Sequence, residues 1–320
     1  MEVSRLSLGG LFISSVGAEF DEARLAILRA IELGVNYIDT APGYANSEEV
    51  LGRVLADVKA PLYLSTKLGG RPSPFNPRSK DQLWQSLQES LRLLGRDCVD
   101  ILLIHEPDRP GQYDWFEDWD RMWGPVCEVL QEARDRGLIR YTGVGGTTAY
   151  ELAWIFEKGS FDVVLTAFNY SLLWREAEIA LIPAARKKGM GIIAGSPLQQ
   201  GWLARRFDER IRNSPPPWLA PPRREQFYRL YALADRLGMP LPELALRFVL
   251  SNPDIDTVLT GPRSVGEMDS SVRAAQAGPL PPDVLRELDD IAAMVPFRPR
   301  DEPSWCALGS HSYHGPGPLR

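Results

Sequence analysis

Apolar residues come along the chain in short unbroken runs, and each run is followed by a stretch in which they return at helical spacing. The runs lie near residues 6–9, 35–39, 62–66, 99–104, 140–145, 163–167, 191–195 and 257–260, which makes eight. Several, such as Ile101-Leu102-Leu103-Ile104, are apolar throughout. That is what a strand buried on both faces requires, whereas a half-exposed strand alternates. Between the runs, residues 22–33 place Ala23, Ala26, Ile27, Ala30 and Ile31 on one helix face, and Gly34 suits the helix end. A second stripe, Leu83, Leu87, Leu91 and Leu94, follows Ser79-Lys80-Asp81-Gln82. That tetrapeptide and Thr148-Ala149-Tyr150-Glu151 both have the spacing of a capping box, in which side chains satisfy the N–H groups at a helix start. Eight strands alternating with helices predict an α/β fold, a closed parallel (β/α)8 barrel, as a single domain over residues 1–320. A doubly wound open sheet is the alternative. The first strand is not followed by Gly-x-Gly-x-x-Gly, which speaks against it.

Three segments interrupt the alternation. Residues 106–119 are acidic and aromatic, with Glu106, Asp108, Asp114, Trp115, Phe116, Glu117, Asp118 and Trp119. Residues 197–223 are proline-rich, and the tail from about 296 to 320 carries Trp305, His311, Tyr313 and His314. Connections this long in a compact domain are usually functional or disordered. The first two follow strands and so belong at the barrel mouth.

Composition narrows the setting. Hydrophobic residues make up 44% and charged residues 24%, as in ordinary globular proteins, and the net charge of −6 argues against a nucleic-acid partner. Cys98, Cys127 and Cys306 are widely spaced, which reads as reduced thiols in a cytoplasmic protein, and no metal site is expected. No stretch approaches the roughly 20 apolar residues of a membrane span, and the N-terminus lacks a secretory core. Oligomeric state is not legible.

The chemistry gathers at the run ends. Val35–Ile38 leads to Asp39, a Pro-Gly turn then presents Tyr44, Leu62–Thr66 ends on Lys67, and Ile101–Ile104 ends on His105. In a parallel barrel, strand ends converge on one mouth. These four groups together would form a proton-transfer site. With their flanks, Asp39-Thr40-Ala41, Thr66-Lys67 and Ile104-His105-Glu106-Pro107-Asp108, they resemble the catalytic set of the aldo-keto reductases, and the resemblance extends from Leu8-Gly9-Gly10 to Thr260-Gly261-Pro262-Arg263.

The resemblance implies an NAD(P)-dependent oxidoreductase that interconverts a carbonyl compound and an alcohol. When a carbonyl carbon gains hydride, its oxygen needs a proton. Tyrosine, with a reference pKa of about 10, becomes a usable donor beside an ammonium. Tyr44 is then the general acid and base, Lys67 the tuning cation, Asp39 its partner, and His105 a hydrogen-bond donor to the oxygen. The resemblance also implies a cofactor path. Gly9 and Gly10 lie near the nicotinamide end, and Asn169 holds the carboxamide. Ser196, Pro197, Leu198, Gly201 and Leu203 cover the pyrophosphate; Gly261, Arg263, Glu267 and Ser271 surround the adenosine. Gly195 stands where the family commonly has an aromatic residue stacked on the nicotinamide. Arg263 favours NADP, while Glu267 would favour NAD or simply close a capping box from Ser264. The expected cofactor is NADP, with NAD as the other option. Trp115, Trp119 and Trp305 either flank a polyhydroxylated substrate or pack the loops. Two other functions stay open: a non-catalytic nicotinamide-binding regulatory subunit, and a barrel hydrolase using Glu106 and Asp108.

Overall fold

The eight apolar runs pair side by side as parallel strands and close on themselves. They are β1 (Leu6–Gly9), β2 (Tyr37–Asp39), β3 (Tyr63–Leu68), β4 (Val99–His105), β5 (Ile139–Gly146), β6 (Val163–Ala167), β7 (Gly191–Gly195) and β8 (Thr257–Thr260), and β8 pairs back to β1. The computed structural model describes residues 1–109 and 113–298, so Trp305, Cys306, His311, Tyr313 and His314 lie outside the described residues. Eleven α-helices are described: α1 (Phe20–Glu32), α2 (Ser47–Leu55), α3 (Lys80–Leu94), α4 (Pro125–Asp135), α5 (Ala149–Lys158), α6 (Ile182–Lys187), α7 (Asp208–Asn213), α8 (Pro221–Leu237), α9 (Leu241–Leu250), α10 (Val265–Gln276) and α11 (Pro282–Ala293). This is the expected (β/α)8 barrel.

The unbroken apolar runs have a simple cause. Successive strand residues face opposite sides, and here both sides are covered. Tyr37, Ile101, Leu103, Val163, Leu165, Ile193 and Leu259 meet inside the barrel. Their neighbours Ile38, Leu102, Ile104, Val164, Ile192 and Val258 join the larger core between strands and helices. The inner parity carries forward to the strand ends. Asp39 is two residues beyond Tyr37, and His105 two beyond Leu103. Lys67 stands opposite Leu103 in the β3–β4 register. All three therefore point into the mouth.

Helix starts follow local chemistry, with one correction. Ser79 caps α3 as its spacing predicts, its hydroxyl accepting the Gln82 N–H at 3.3 Å. Thr148 precedes α5 but makes no side-chain cap; its hydroxyl donates instead to Asp108 Oδ2 at 2.7 Å. Donating to the buried carboxylate orients the hydroxyl so that its oxygen accepts none of the helix N–H groups. The proline-rich stretch 197–223 is also more ordered than its composition suggests. It holds a 3₁₀ turn (Gln199–Gly201), α7 and the start of α8, where Pro221 and Pro222 occupy the first turn and forfeit no helical bond. Trp202 anchors it, buried and stacked on Trp218 at 4.9 Å. Among the described residues, Cys98 and Cys127 are unpaired thiols. No described helix is long and apolar enough to cross a membrane.

Candidate active site

The site is built upward from a buried ion pair. Lys67 Nζ donates to both oxygens of Asp39, at 2.8 and 2.7 Å, and to the Thr40 carbonyl at 2.8 Å, so its three protons are all directed. The pair is almost wholly excluded from solvent, with side chains 1% and 2% exposed. Burial pushes the Lys67 ammonium below its ordinary pKa; the Asp39 carboxylate chiefly opposes this, and Glu48 adds to the opposition. Beneath the pair runs a hydroxyl relay that sequence reasoning missed. Ser65 Oγ donates to Asp39 Oδ1 at 2.6 Å and lies 2.7 Å from the Tyr37 hydroxyl. Burial, and then the Asp39 charge, hold the Tyr37 pKa well above its usual value, so Tyr37 remains a neutral donor. Ser65 was findable: it pairs with Asp39 in register and shares the inner parity of Lys67. On the opposite face, Thr66 donates to buried Glu48 at 2.5 Å, and Glu48 also pairs with Arg71.

Tyr44 is delivered by a turn. Its N–H donates to the Ala41 carbonyl at 3.1 Å across Pro42-Gly43, and its own carbonyl accepts from Ser47 N–H at the start of α2. The Lys67 Nζ lies 4.8 Å from the Tyr44 ring centre, and the His105 ring meets it edge-on at 5.7 Å. Asp39, Lys67 and His105 are buried, whereas Tyr44 is half-buried, so the tyrosine is the member open to a ligand. Burial first, then the charges of Lys67 and Arg109, drive His105 well below the ordinary histidine pKa. Its imidazole is neutral near pH 7, with one N–H to donate. The structure thus brings all four sequence-predicted residues together.

The tryptophans of the 106–119 segment part company. Trp115 is fully buried against Phe75 and Tyr113, at 5.7 and 5.5 Å between ring centres, and its Cζ2 edge faces Gly69 where that glycine also meets His105. Its Nε1 has no hydrogen-bond partner among the described residues. Trp119 lies on the outside, stacked on Trp154 of α5. The two carboxylates beside His105 are engaged structurally. Asp108 Oδ2 accepts from the N–H groups of Thr147 and Thr148 at 2.8 and 2.6 Å, and a Cβ at Gly146 would lie 2.1 Å from Oδ1. Burial raises the Asp108 pKa. Glu106 has φ 53 and faces Arg109 at 3.6 Å.

The residues assigned to a dinucleotide form an arc over the consecutive ends of β6, β7, β8 and β1. Asn169 is buried after β6, its Nδ2 donating to Thr166 at 3.0 Å. After β7, Ser196 (φ 55), Gln199 (φ 49), Gln200 (φ 48) and Gly201 (φ 108) are left-handed. Such non-glycine conformations cost about 1–3 kcal/mol each and persist where the surroundings hold them. Pro197 is buried between them, Leu198 is half-buried, and Leu203 belongs to the core. After β8, Gly261 lies against Phe12, where a Cβ would stand 2.8 Å from the ring. Ser264 caps α10, and Glu267 both accepts the Arg263 N–H at 2.8 Å and pairs with its guanidinium at 2.6 Å. Ser271 Oγ donates to the Glu267 carbonyl at 2.9 Å. At β1, a Cβ on Gly10 would lie 2.6 Å from Ser47 Oγ and 2.8 Å from the Asp39 carbonyl, so packing alone demands that glycine; Gly9 has ordinary contacts. Buried polar atoms without a partner among the described residues include His105 Nδ1, Gln199 Oε1 and Gln200 Oε1. The strained loop after β7 and the start of α10 lie along one arc, and of these the helix start is the element that suits an anion. No group of three or more His, Cys, Asp or Glu among the described residues could hold a metal ion.

Comparison with known proteins agrees with this fold. The sequence profile described as the Aldo/keto reductase family matches residues 5–293. The chain is 28% identical over 285 residues to L-galactose dehydrogenase of Arabidopsis thaliana, covering 84% of each. It is also 25% identical over 328 residues to a probable voltage-gated potassium channel subunit beta of the same plant, covering 93% of this chain and 96% of that one. Among solved structures, the holo form of aldo-keto reductase AKR11C1 from Bacillus halodurans superposes with a TM-score of 0.72 at 25% identity, covering 91% of this chain and 92% of the other.

Proposed function

The chain belongs to the aldo/keto reductase family, and from that premise we propose that it is an oxidoreductase interconverting a carbonyl and an alcohol, with Tyr44 as general acid and base. The observation that carries this reading is the Lys67 ammonium, bound to Asp39 and 4.8 Å from the Tyr44 ring, beside a neutral His105. A nicotinamide dinucleotide would supply or accept the hydride. Tyr44 gives the proton to the carbonyl oxygen, or takes it from the alcohol. Lys67 stabilises the tyrosinate through its charge, because its protons are already directed at Asp39 and Thr40. Neutral His105 donates one hydrogen bond to the same oxygen and does not serve as a proton reservoir.

Phe75, Tyr113 and Trp115 pack on one another beside the β3 and β4 ends, with Trp115 buried among them. The likeness to L-galactose dehydrogenase supports a sugar as the substrate. The test is a panel of aldoses, aromatic aldehydes and small ketones with each dinucleotide. Nicotinamide-linked oxidation of an aldose is expected. Saturable dinucleotide binding without turnover on any member would instead place the chain with the regulatory subunits.

Cofactor choice turns on the Arg263–Glu267 pair. A 2′-phosphate must compete with Glu267 for the guanidinium. Glu267→Gln is therefore expected to raise NADP affinity relative to NAD roughly tenfold, and Arg263→Ala to lower it by a similar factor; a charge-assisted contact is worth about 1.5–3 kcal/mol. Isothermal titration with both dinucleotides checks this. An unmoved ratio in both variants would remove the pair from cofactor choice.

A further inference from the structure

One backbone carbonyl ties together three segments of the mouth. Phe168, left-handed at φ 68, accepts Gln199 Nε2 at 3.1 Å and Arg298 Nη2 at 3.1 Å. Gln199 comes from the middle of the loop after β7, and Arg298 from the chain beyond α11. The Gln199 amide has one sensible orientation, since a carbonyl can only accept and the NH₂ must face it. The same Nε2 donates to Ser171 Oγ at 2.7 Å, and the side chain is buried. Arg298 is held in turn, its guanidinium 4.0 Å over the Trp174 ring and 3.2 Å from Glu176.

The loop's own bonds are short-range turns: Gln199 N–H to Ser196 carbonyl at 2.9 Å, and Gly201 and Leu203 N–H to the Leu198 carbonyl at 3.1 Å. Gln199 and Gln200 lack glycine's tolerance for their conformation, so they favour relaxation of the loop. The Gln199 side chain ties the middle of this strained stretch to the β6 exit. Arg298 shares that anchor, and a rotation of the Phe168 peptide would break both bonds together.

We propose that Gln199 and Arg298 are positioning residues of the dinucleotide site, holding the Ser196-to-Gly201 loop, with its left-handed Ser196, Gln199, Gln200 and Gly201, in place through the Phe168 carbonyl. The inference rests on the reading that this loop covers the pyrophosphate. It makes dinucleotide affinity depend on Arg298, a residue beyond the last barrel helix.

The test compares three probes by isothermal titration of the full chain: reduced dinucleotide, ADP-ribose, which keeps the pyrophosphate, and 5′-AMP, which lacks it. Gln199→Ala is expected to weaken the first two about tenfold, the scale of one buried hydrogen bond, and 5′-AMP less than twofold. Arg298→Met should act in the same direction and Arg298→Lys should recover most of the loss. The double variant should lose less than the product of the two single losses, because both bonds end on one carbonyl. Equal weakening of all three probes would mean that the residues support the fold in general, and unaltered ADP-ribose affinity would mean that they do not hold the loop; either overturns the proposal. Wild-type protein that binds ADP-ribose no better than 5′-AMP would overturn the underlying reading of the loop instead.

Discussion

Tyr44→Phe is expected to lower the rate of hydride transfer by about 10²–10⁴-fold, the usual worth of general acid–base catalysis. The substitution is a narrow one. Phenylalanine keeps the ring that meets His105 edge-on and lies 4.8 Å from the Lys67 ammonium. The turn that delivers residue 44 is held by backbone bonds from Ala41 and Ser47, which the change leaves alone. What goes is the one ionisable group of the four that is open to a ligand. Neutral His105 cannot replace it as an acid, because burial and two neighbouring cations disfavour its protonated form. Lys67 cannot replace it either, since its protons are bound by Asp39 and Thr40. Dinucleotide affinity should stay close to wild type, because the assigned cofactor arc lies on β6, β7, β8 and β1. Single-turnover rates with a titrated dinucleotide separate the two effects. A rate within a few-fold of wild type would sink the assignment of Tyr44.

Much of this arrangement was readable in the sequence, for a local reason. A strand covered on both sides must be apolar at every position, so runs such as Ile101–Ile104 declare themselves without knowledge of their partners. Residues at the run ends inherit the parity of the run, which is why Asp39, Lys67 and His105 could be placed at one mouth. Legibility failed where a residue's role depends on a contact distant in sequence. Thr148 has the spacing of a cap, but Asp108 lies 40 positions back and takes its hydroxyl. Gly10 reads as a cofactor glycine, yet Ser47 and the Asp39 carbonyl already leave no room for a side chain. Trp115 and Trp119 look equivalent in one acidic loop. Phe75, from the β3 exit, helps bury the first, and Trp154 of α5 stacks on the second outside the barrel. The left-handed conformations of Ser196, Gln199 and Gln200 were equally hidden, because serine and glutamine do not announce positive φ.

Replacing Lys67 with methionine is expected to move the pH profile as well as the rate. In the alcohol-to-carbonyl direction Tyr44 must be ionised to accept the proton, so the rate rises with pH as tyrosinate forms. The Lys67 charge favours that anion from 4.8 Å, and methionine keeps the length of the side chain without the charge. The rising limb should therefore shift to higher pH. Asp39→Asn tests the same cation from the other side. Burial already pulls the Lys67 pKa down, and Asp39 is the chief force opposing it. Removing the carboxylate's charge should lower the Lys67 pKa further, and to the extent that the proton is lost Tyr44 again lacks a cationic neighbour. Asp39→Asn should thus imitate Lys67→Met in direction, although the bare loss of a negative charge would have shifted the limb to lower pH. Breaking a buried pair on one side costs about 3–5 kcal/mol, so each variant must first show a thermal unfolding transition and saturable dinucleotide binding. The measurement is oxidation rate against pH where hydride transfer limits turnover. A lower plateau with an unmoved rising limb would mean that Lys67 fixes the geometry of the site and leaves the ionisation of Tyr44 untouched.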